Sequence, residues 1–356
     1  MKSFFKVIFL FSLFTTLTTC SDQGTNPPTE KPKDPRTMTW TADTLAYPES
    51  IQTLMTNILA FNSKDIFIYG HNFITKGKTY HFDGIKWEVY DLTQYIGGYN
   101  VLKMIAFSRN NIWGAGDRGD VTGLLFNFNG STWTEYKLAS SYPPLFSIDG
   151  ETANEFYACG RDGIVWYNKN GNWFLDTIKI NRPPNTEYQL SSLSVYKGEV
   201  FILGRIYSVK RGFSWAREYL IRGKFKNFSV VDSMDFTQNL PIQRWGVGAI
   251  IKGENGKLYS KGPRGFYEWT GTEWKNFHQS LYNWGFYVFN DKYFLTLGTG
   301  GVEYYNGESW IDLSTTVLKN YKDVTFRAAW TDGKELFLVA NMWNSFPEKT
   351  IVLHGK

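Results

Sequence analysis

NIWGAGDRGDVTGLLFNFNGSTWTEYKL, Asn111 to Leu138, holds the unit from which this chain is built. It opens with a polar turn and four mostly apolar residues ending in Gly116. A second apolar run follows, then an Asn-Gly pair, then a Trp that opens another strand. The first line recurs as DIFIYG (65–70), NIWGAG (111–116), EFYACG (155–160), EVFILG (199–204), KLYSKG (257–262), YFLTLG (293–298) and ELFLVA (335–340). Their last residues are 46, 44, 44, 58, 36 and 42 positions apart. A period of about 45 residues with short strands is the mark of a β-propeller blade.

Five copies are followed by a turn pair: Asp83-Gly84, Asn129-Gly130, Asn170-Gly171, Thr270-Gly271 and Asn306-Gly307. The aromatics after them are Trp87, Trp133, Trp173, Trp274 and Trp310, with Phe228 in the degenerate fourth copy. Asn-Gly and Asp-Gly tolerate positive φ, so each pair predicts a tight hairpin. Another short apolar run precedes each copy, which makes four antiparallel strands per unit. Aromatics are 18% of the chain, with 14 Trp, and suit pleated surfaces better than helices.

The seventh unit stops at TIVLHGK, Thr350 to Lys356, after three strands. TMTWTADTL, Thr37 to Leu45, carries Trp40 and Leu45 where a fourth strand needs them. The expectation is an all-β, seven-bladed propeller over residues 38–356, its last blade closed by the N-terminal strand.

Residues 1–19 read as a signal peptide: Lys2 and Lys6, then the apolar run Val7 to Leu17, too short to span a bilayer. LTTC, Leu17 to Cys20, resembles a bacterial lipobox, which implies lipidation of Cys20. Residues 20–37 form a Pro-rich linker, an extended polar leash. The expected location is the bacterial cell envelope, outside the cytoplasm and tied to a membrane by lipid. Cys159 then has no disulfide partner and is expected to be a small buried hydrophobe. Without Lys2 and Lys6 the formal charge falls from +5 to +3, which gives no reason to expect a nucleic-acid partner.

The line NNIWGAGDRG with LLFNFNGSTW resembles repeats of secreted bacterial propellers, grouped with photosystem II assembly-factor-like, kelch-like and sialidase Asp-box repeats. The resemblance spans residues 40–356 and implies the fold. It carries little about activity, because propellers host many.

No phosphate-loop, zinc-finger or serine-hydrolase motif occurs, and the four His form no HxxH pair, so no metal and no cofactor is expected. In a propeller, the loops between second and third strands share one face with the connections between blades. The ligand-binding candidates on those loops are His71, Tyr99, Arg118, Tyr142, Arg161, Trp245, Arg264 and Trp343, since Arg and aromatics are the usual interface anchors. The long fourth copy carries a basic insertion with Lys210, Arg211, Arg217 and Arg222, a second candidate contact for an anionic partner. The expected function is a non-catalytic binding or scaffold module for protein or glycan, acting as a monomer. The alternative is an extracytoplasmic enzyme acting on polysaccharide, a glycan lyase or hydrolase.

Overall fold

The computed structural model describes residues 31–46, 50–73, 78–92, 100–119, 122–139, 141–208, 214–236 and 243–356. Cys20, Tyr99, Lys210 and Arg211 lie outside the described residues, as does the signal segment. Among the described residues 28 strands pair into seven antiparallel sheets of four. The repeated line is the second strand of each sheet, from Asp65–Phe73 in blade 1 to Leu336–Met342 in blade 7.

Seven apolar cores hold the ring together, one between each pair of neighbouring blades. The core between blades 7 and 1 joins Phe337, Val339 and Val352 to Met55, Ile66 and Ile68. The core between blades 6 and 7 joins Leu295 and Val302 to Phe326, Leu338 and Leu353. Both faces of a blade are therefore apolar, as each lies between two others.

Closure follows the sequence expectation. Trp40–Leu45 pairs antiparallel with Lys349–Gly355, with Trp40 opposite Gly355 and Thr41 opposite His354. Thr39 and Lys356 exchange backbone hydrogen bonds of 2.9 and 3.0 Å. The ordered body also reaches back beyond Met38, into the stretch assigned to the linker. Asp34 caps a 3-10 turn, Pro35–Thr37, by accepting from the Arg36 N–H at 2.9 Å. Pro35 and Met38 are buried, the Trp40 indole donates to the Pro35 carbonyl at 3.1 Å, and the Lys33 N–H donates to Gly333 at 2.8 Å.

The Gly that ends most copies has a steric cause. In blades 1 to 4 and 7 the innermost strand bulges by one residue opposite that position, as between Val101 and Lys103. The bulge brings backbone close. A Cβ at Gly116 would lie 1.8 Å from the Asn100 carbonyl oxygen, and one at Gly160 1.9 Å from that of Pro144. Blade 7 has room for Ala340.

The five turn pairs are not one turn type. Asn170 and Gly171 both take positive φ, 51° and 82°, as a two-residue turn requires. In the other four pairs only the Gly does. There the preceding side chain caps the loop: Asn129 Oδ1 accepts from the N–H groups of Ser131 and Thr132, and Asn306 Oδ1 from those of Glu308 and Ser309.

A further regularity ties second strands to third. The acid opening the second strand bonds a side chain that covers the aromatic two residues on. Asp65 bonds His81 at 2.7 Å, and His81 covers Phe67 at 4.5 Å. Glu155 accepts from Tyr167, which stacks on Tyr157 at 4.7 Å. Glu335 bonds His354 at 2.5 Å, with His354 on Phe337 at 3.8 Å. In blade 4 the pair is Glu199 and Arg222, with the guanidinium 5.0 Å from the Phe201 ring. Cys159 is buried, and burial pushes its thiol pKa up, as for a small core residue.

Candidate functional site

The topology gives the ring two unlike faces. One carries the hairpins between first and second and between third and fourth strands, together with the Pro35–Thr37 strap; this is the hairpin face. The other carries the second-to-third loops and the blade-to-blade connections; this is the loop face. The candidate residues were assigned to the loop face.

Several of them turn out to join blades. His71 Nδ1 lies 2.5 Å from Asn100 Oδ1, and Asn100 donates to Asp117 at 2.8 Å, which links blades 1 and 2. Arg118 pairs with Glu135 inside blade 2. Arg161 reaches Glu187 of blade 4 at 3.6 Å. Tyr142 and Trp245 are buried in the interblade cores, so neither offers a ring to a ligand. Arg264 and Trp343 are exposed on loops.

The basic insertion is a long hairpin of the strands Glu199–Ser208 and Ser214–Lys224. Its described arginines are balanced by acids of the same sheet. Arg222 meets Glu199, Arg217 meets Asp235 at 2.6 Å, and Arg205 meets Glu218 at 3.3 Å. The last pair is buried. Burial outweighs the partner's attraction on both sides, raising Glu218 to about 7 and lowering Arg205. Glu199 and Asp235 lie outside the insertion, so its composition alone overstated its free charge.

Cations without an ion pair also line the central channel. This cavity of about 660 Å³ is lined by the innermost strands of all seven blades, from Asn57 in blade 1 to Ala328 in blade 7. Four cations line it: Lys252 at the hairpin-face end of its strand, and Lys103, Lys261 and Arg327. Lys103 stands on the innermost strand of blade 2, opposite Ala115. Arg327 occupies the bulge of the innermost strand of blade 7, its guanidinium 4.7 Å from the Trp284 ring. Lys261 comes from a second strand, where the other six copies have Tyr69, Ala115, Cys159, Leu203, Leu297 and Val339. Its neighbours Gly248, Ala249 and Gly285 leave room for it beside the lumen, where its ammonium donates to the Trp284 carbonyl.

Nine arginines among the described residues meet a carboxylate within ion-pair distance. Lys103, Lys261 and Arg327 do not. Desolvation in the lumen lowers the Lys261 pKa to about 7, and the charges of Arg327 and Lys103 push it the same way. Desolvation also lowers Arg327. It lowers Lys103 too, against the pull of Asp149 and with help from Lys252. The Lys103 side chain is still wetted by the lumen, so this is the desolvation of a narrow wet channel, not of a packed core. Asp149, which attracts Lys103, and Glu254, which lines the channel, are engaged elsewhere. Asp149 accepts from Ser194 and the Val195 N–H, and Glu254 from Tyr287. No group of three His, Cys, Asp or Glu able to hold a metal occurs among the described residues.

The loop face bears four exposed apolar side chains, of which Trp284 lines the channel and Trp343 and Phe346 line a separate hollow with Ile51, Gln52 and Glu348. Leu281 is 93% exposed, Trp284 52%, Trp343 44% and Phe346 84%. They come from the connection between blades 5 and 6 and from the second-to-third loop of blade 7. The other large exposed apolar residues scatter over outer strands and the Asp83-Gly84 turn.

Trp343 is among the eight loop candidates of the sequence, and Trp284 lies on a between-blade connection that the sequence also assigns to that face. The signals for the cations were present: a Lys at the one repeat position otherwise apolar, and single charges inside the runs VLKMIAF and FRAAW.

No family model matches the chain, and no curated protein matches it. Solved structures do. One, described as YCF48 bound to D1 peptide, is 12% identical, covers 89% of this chain and 94% of its own, and superposes with a TM-score of 0.56. Another, YCF48 from Cyanidioschyzon merolae, is 13% identical over 88% of this chain and 98% of its own, with a TM-score of 0.53. At these identities the similarity shows the fold, and it bears out the resemblance to photosystem II assembly-factor-like propellers at that level.

Proposed function

We propose that this chain is a non-catalytic binding or scaffold module that seats a protein partner on its loop face. The observation that carries this is that four of the exposed large apolar side chains, Leu281, Trp284, Trp343 and Phe346, stand on connections of the loop face. Exposed large apolar side chains gathered on one face mark interaction surfaces, whereas single ones do not. A structure of the same fold, described as bound to a peptide, supports the reading. The variant Leu281→Ser/Phe346→Ser tests it. Both side chains are exposed, so melting stays within about 0.5 kcal/mol of the parent. Proteins cross-linked to the parent in its native envelope are lost from the variant. An unchanged cross-linked set would sink the proposal.

The envelope setting belongs to the same proposal and rests on the signal segment and LTTC. Two acyl chains and a leash would hold the body at a membrane. Cys20→Ser is expected to move the protein from the membrane fraction to the soluble one. If the two forms fractionate alike, Cys20 does not anchor the chain.

A further inference from the structure

Lys103, Lys261 and Arg327 line one channel and bear on one another's charge, and none of them forms an ion pair with a carboxylate among the described residues. Confined, uncompensated positive charge is unfavourable for the empty protein. An anion entering the lumen relieves it and meets donors already in place: a planar guanidinium held over Trp284, and an ammonium fixed by the Trp284 carbonyl. We propose that the channel mouth is a carboxylate site for an acidic peptide segment, with Arg327 and Lys261 as its charge partners and Trp284 as the apolar wall beside it. This deepens the protein-binding reading and rests on it.

A peptide fits better than an acidic sugar because of what surrounds the mouth. Trp284, and Leu281 on the same connection, offer apolar contacts to the residues flanking an acid. The carboxylate has two sources, a Glu or Asp side chain or a free chain end, and the chemistry at Arg327 is the same for both.

The test uses the chain from Cys20 onward and labelled hexaglutamate, followed by fluorescence anisotropy at low and high salt. One form ends in a free carboxylate and one in an amide. Hexaglutamine and an oligogalacturonate are controls. Hexaglutamate is expected to bind, and salt is expected to weaken it. Lys261→Met with Arg327→Gln should weaken it about tenfold or more, the equivalent of one charge-assisted hydrogen bond. Equal binding of the free and amidated forms assigns the contact to side chains, and loss on amidation assigns it to the chain end; both support the site. Binding unchanged in the double variant, or equal binding of hexaglutamine, overturns it. Binding of oligogalacturonate alone overturns the peptide assignment. The Leu281→Ser/Phe346→Ser variant separates the two readings, because it removes exposed apolar side chains of the loop face and leaves the cations.

Stability gives a second readout. Lys261 faces Arg327 from blade 7 and Lys103 from blade 2. Below about pH 7 it is charged whether the chain is folded or not, so the folded state carries the full cost of confinement. Between about 7 and its ordinary 10.5 the folded state sheds that proton and the cost eases. Lys261→Met should therefore raise the melting temperature most below pH 7, with the gain shrinking as pH rises toward 10. A gain that does not vary with pH, or a loss at every pH, contradicts an uncompensated cation in the lumen.

Discussion

Deleting residues 38–45 is expected to unfold the whole domain and not merely to shorten it. The deleted strand supplies the ladder from Trp40 opposite Gly355 to Leu45 opposite Thr350. It also buries Leu45 in the core between blades 7 and 1, and Met38 in the core between blades 6 and 7. Each large apolar side chain withdrawn from burial forfeits about 1.5–3 kcal/mol, and each ladder hydrogen bond about 0.5–1.5 kcal/mol. The sum is comparable to the roughly 5–15 kcal/mol by which a domain is stable at all. Lys349–Gly355 would become a bare sheet edge as well, open to pairing with other chains. Circular dichroism should show no cooperative transition, or one lowered by on the order of ten degrees or more, with aggregation. A deletion variant melting within a degree or two of the parent would show that the ring does not need this strand.

The second large effect separates two glycines that look alike in the repeat. Gly116→Ala puts a methyl 1.8 Å from the backbone oxygen of Asn100, which cannot move without undoing the bulge between Val101 and Lys103. Overpacking against rigid backbone costs about 3 kcal/mol or more. Gly204→Ala meets only side-chain ends, the nearest being Ile221 Cδ1 at 3.2 Å, and should cost about 1 kcal/mol or less. Denaturant melts of the two variants check this. Equal destabilisation would mean that the repeat Gly is kept for some reason other than backbone approach.

The fold was legible because its evidence is periodic. Seven copies of one line, five turn pairs and the Trp40 match each restate one geometry, and the structure places the lines on second strands and Trp40 beside the last strand. Sites are not periodic. Arg161 and His71 lie on loops where ligand residues belong, yet their nearest partners, Glu187 and Asn100, are 26 and 29 positions along the chain and act between blades. Charge in the insertion, read along the sequence, misses Glu199 and Asp235, which come alongside only when strands pair. Trp245 differs from Trp284 only in depth, and depth is set by packing across blades. Lys261 was the readable exception, a departure inside an otherwise uniform column of the repeat, and departures from a period are where such sequences carry individual chemistry.

The strap at Lys33 to Met38 crosses the hairpin face, while Lys261, Arg327 and the exposed rings open on the loop face. Any anchor acting through the residues before the strap pulls on the seam between blades 6 and 7 from beneath. The disc would then ride like a plate on its stem, loop face outward. A visitor arriving from open solvent would find the mouth unobstructed, and one embedded in the supporting surface would have to go round the edge.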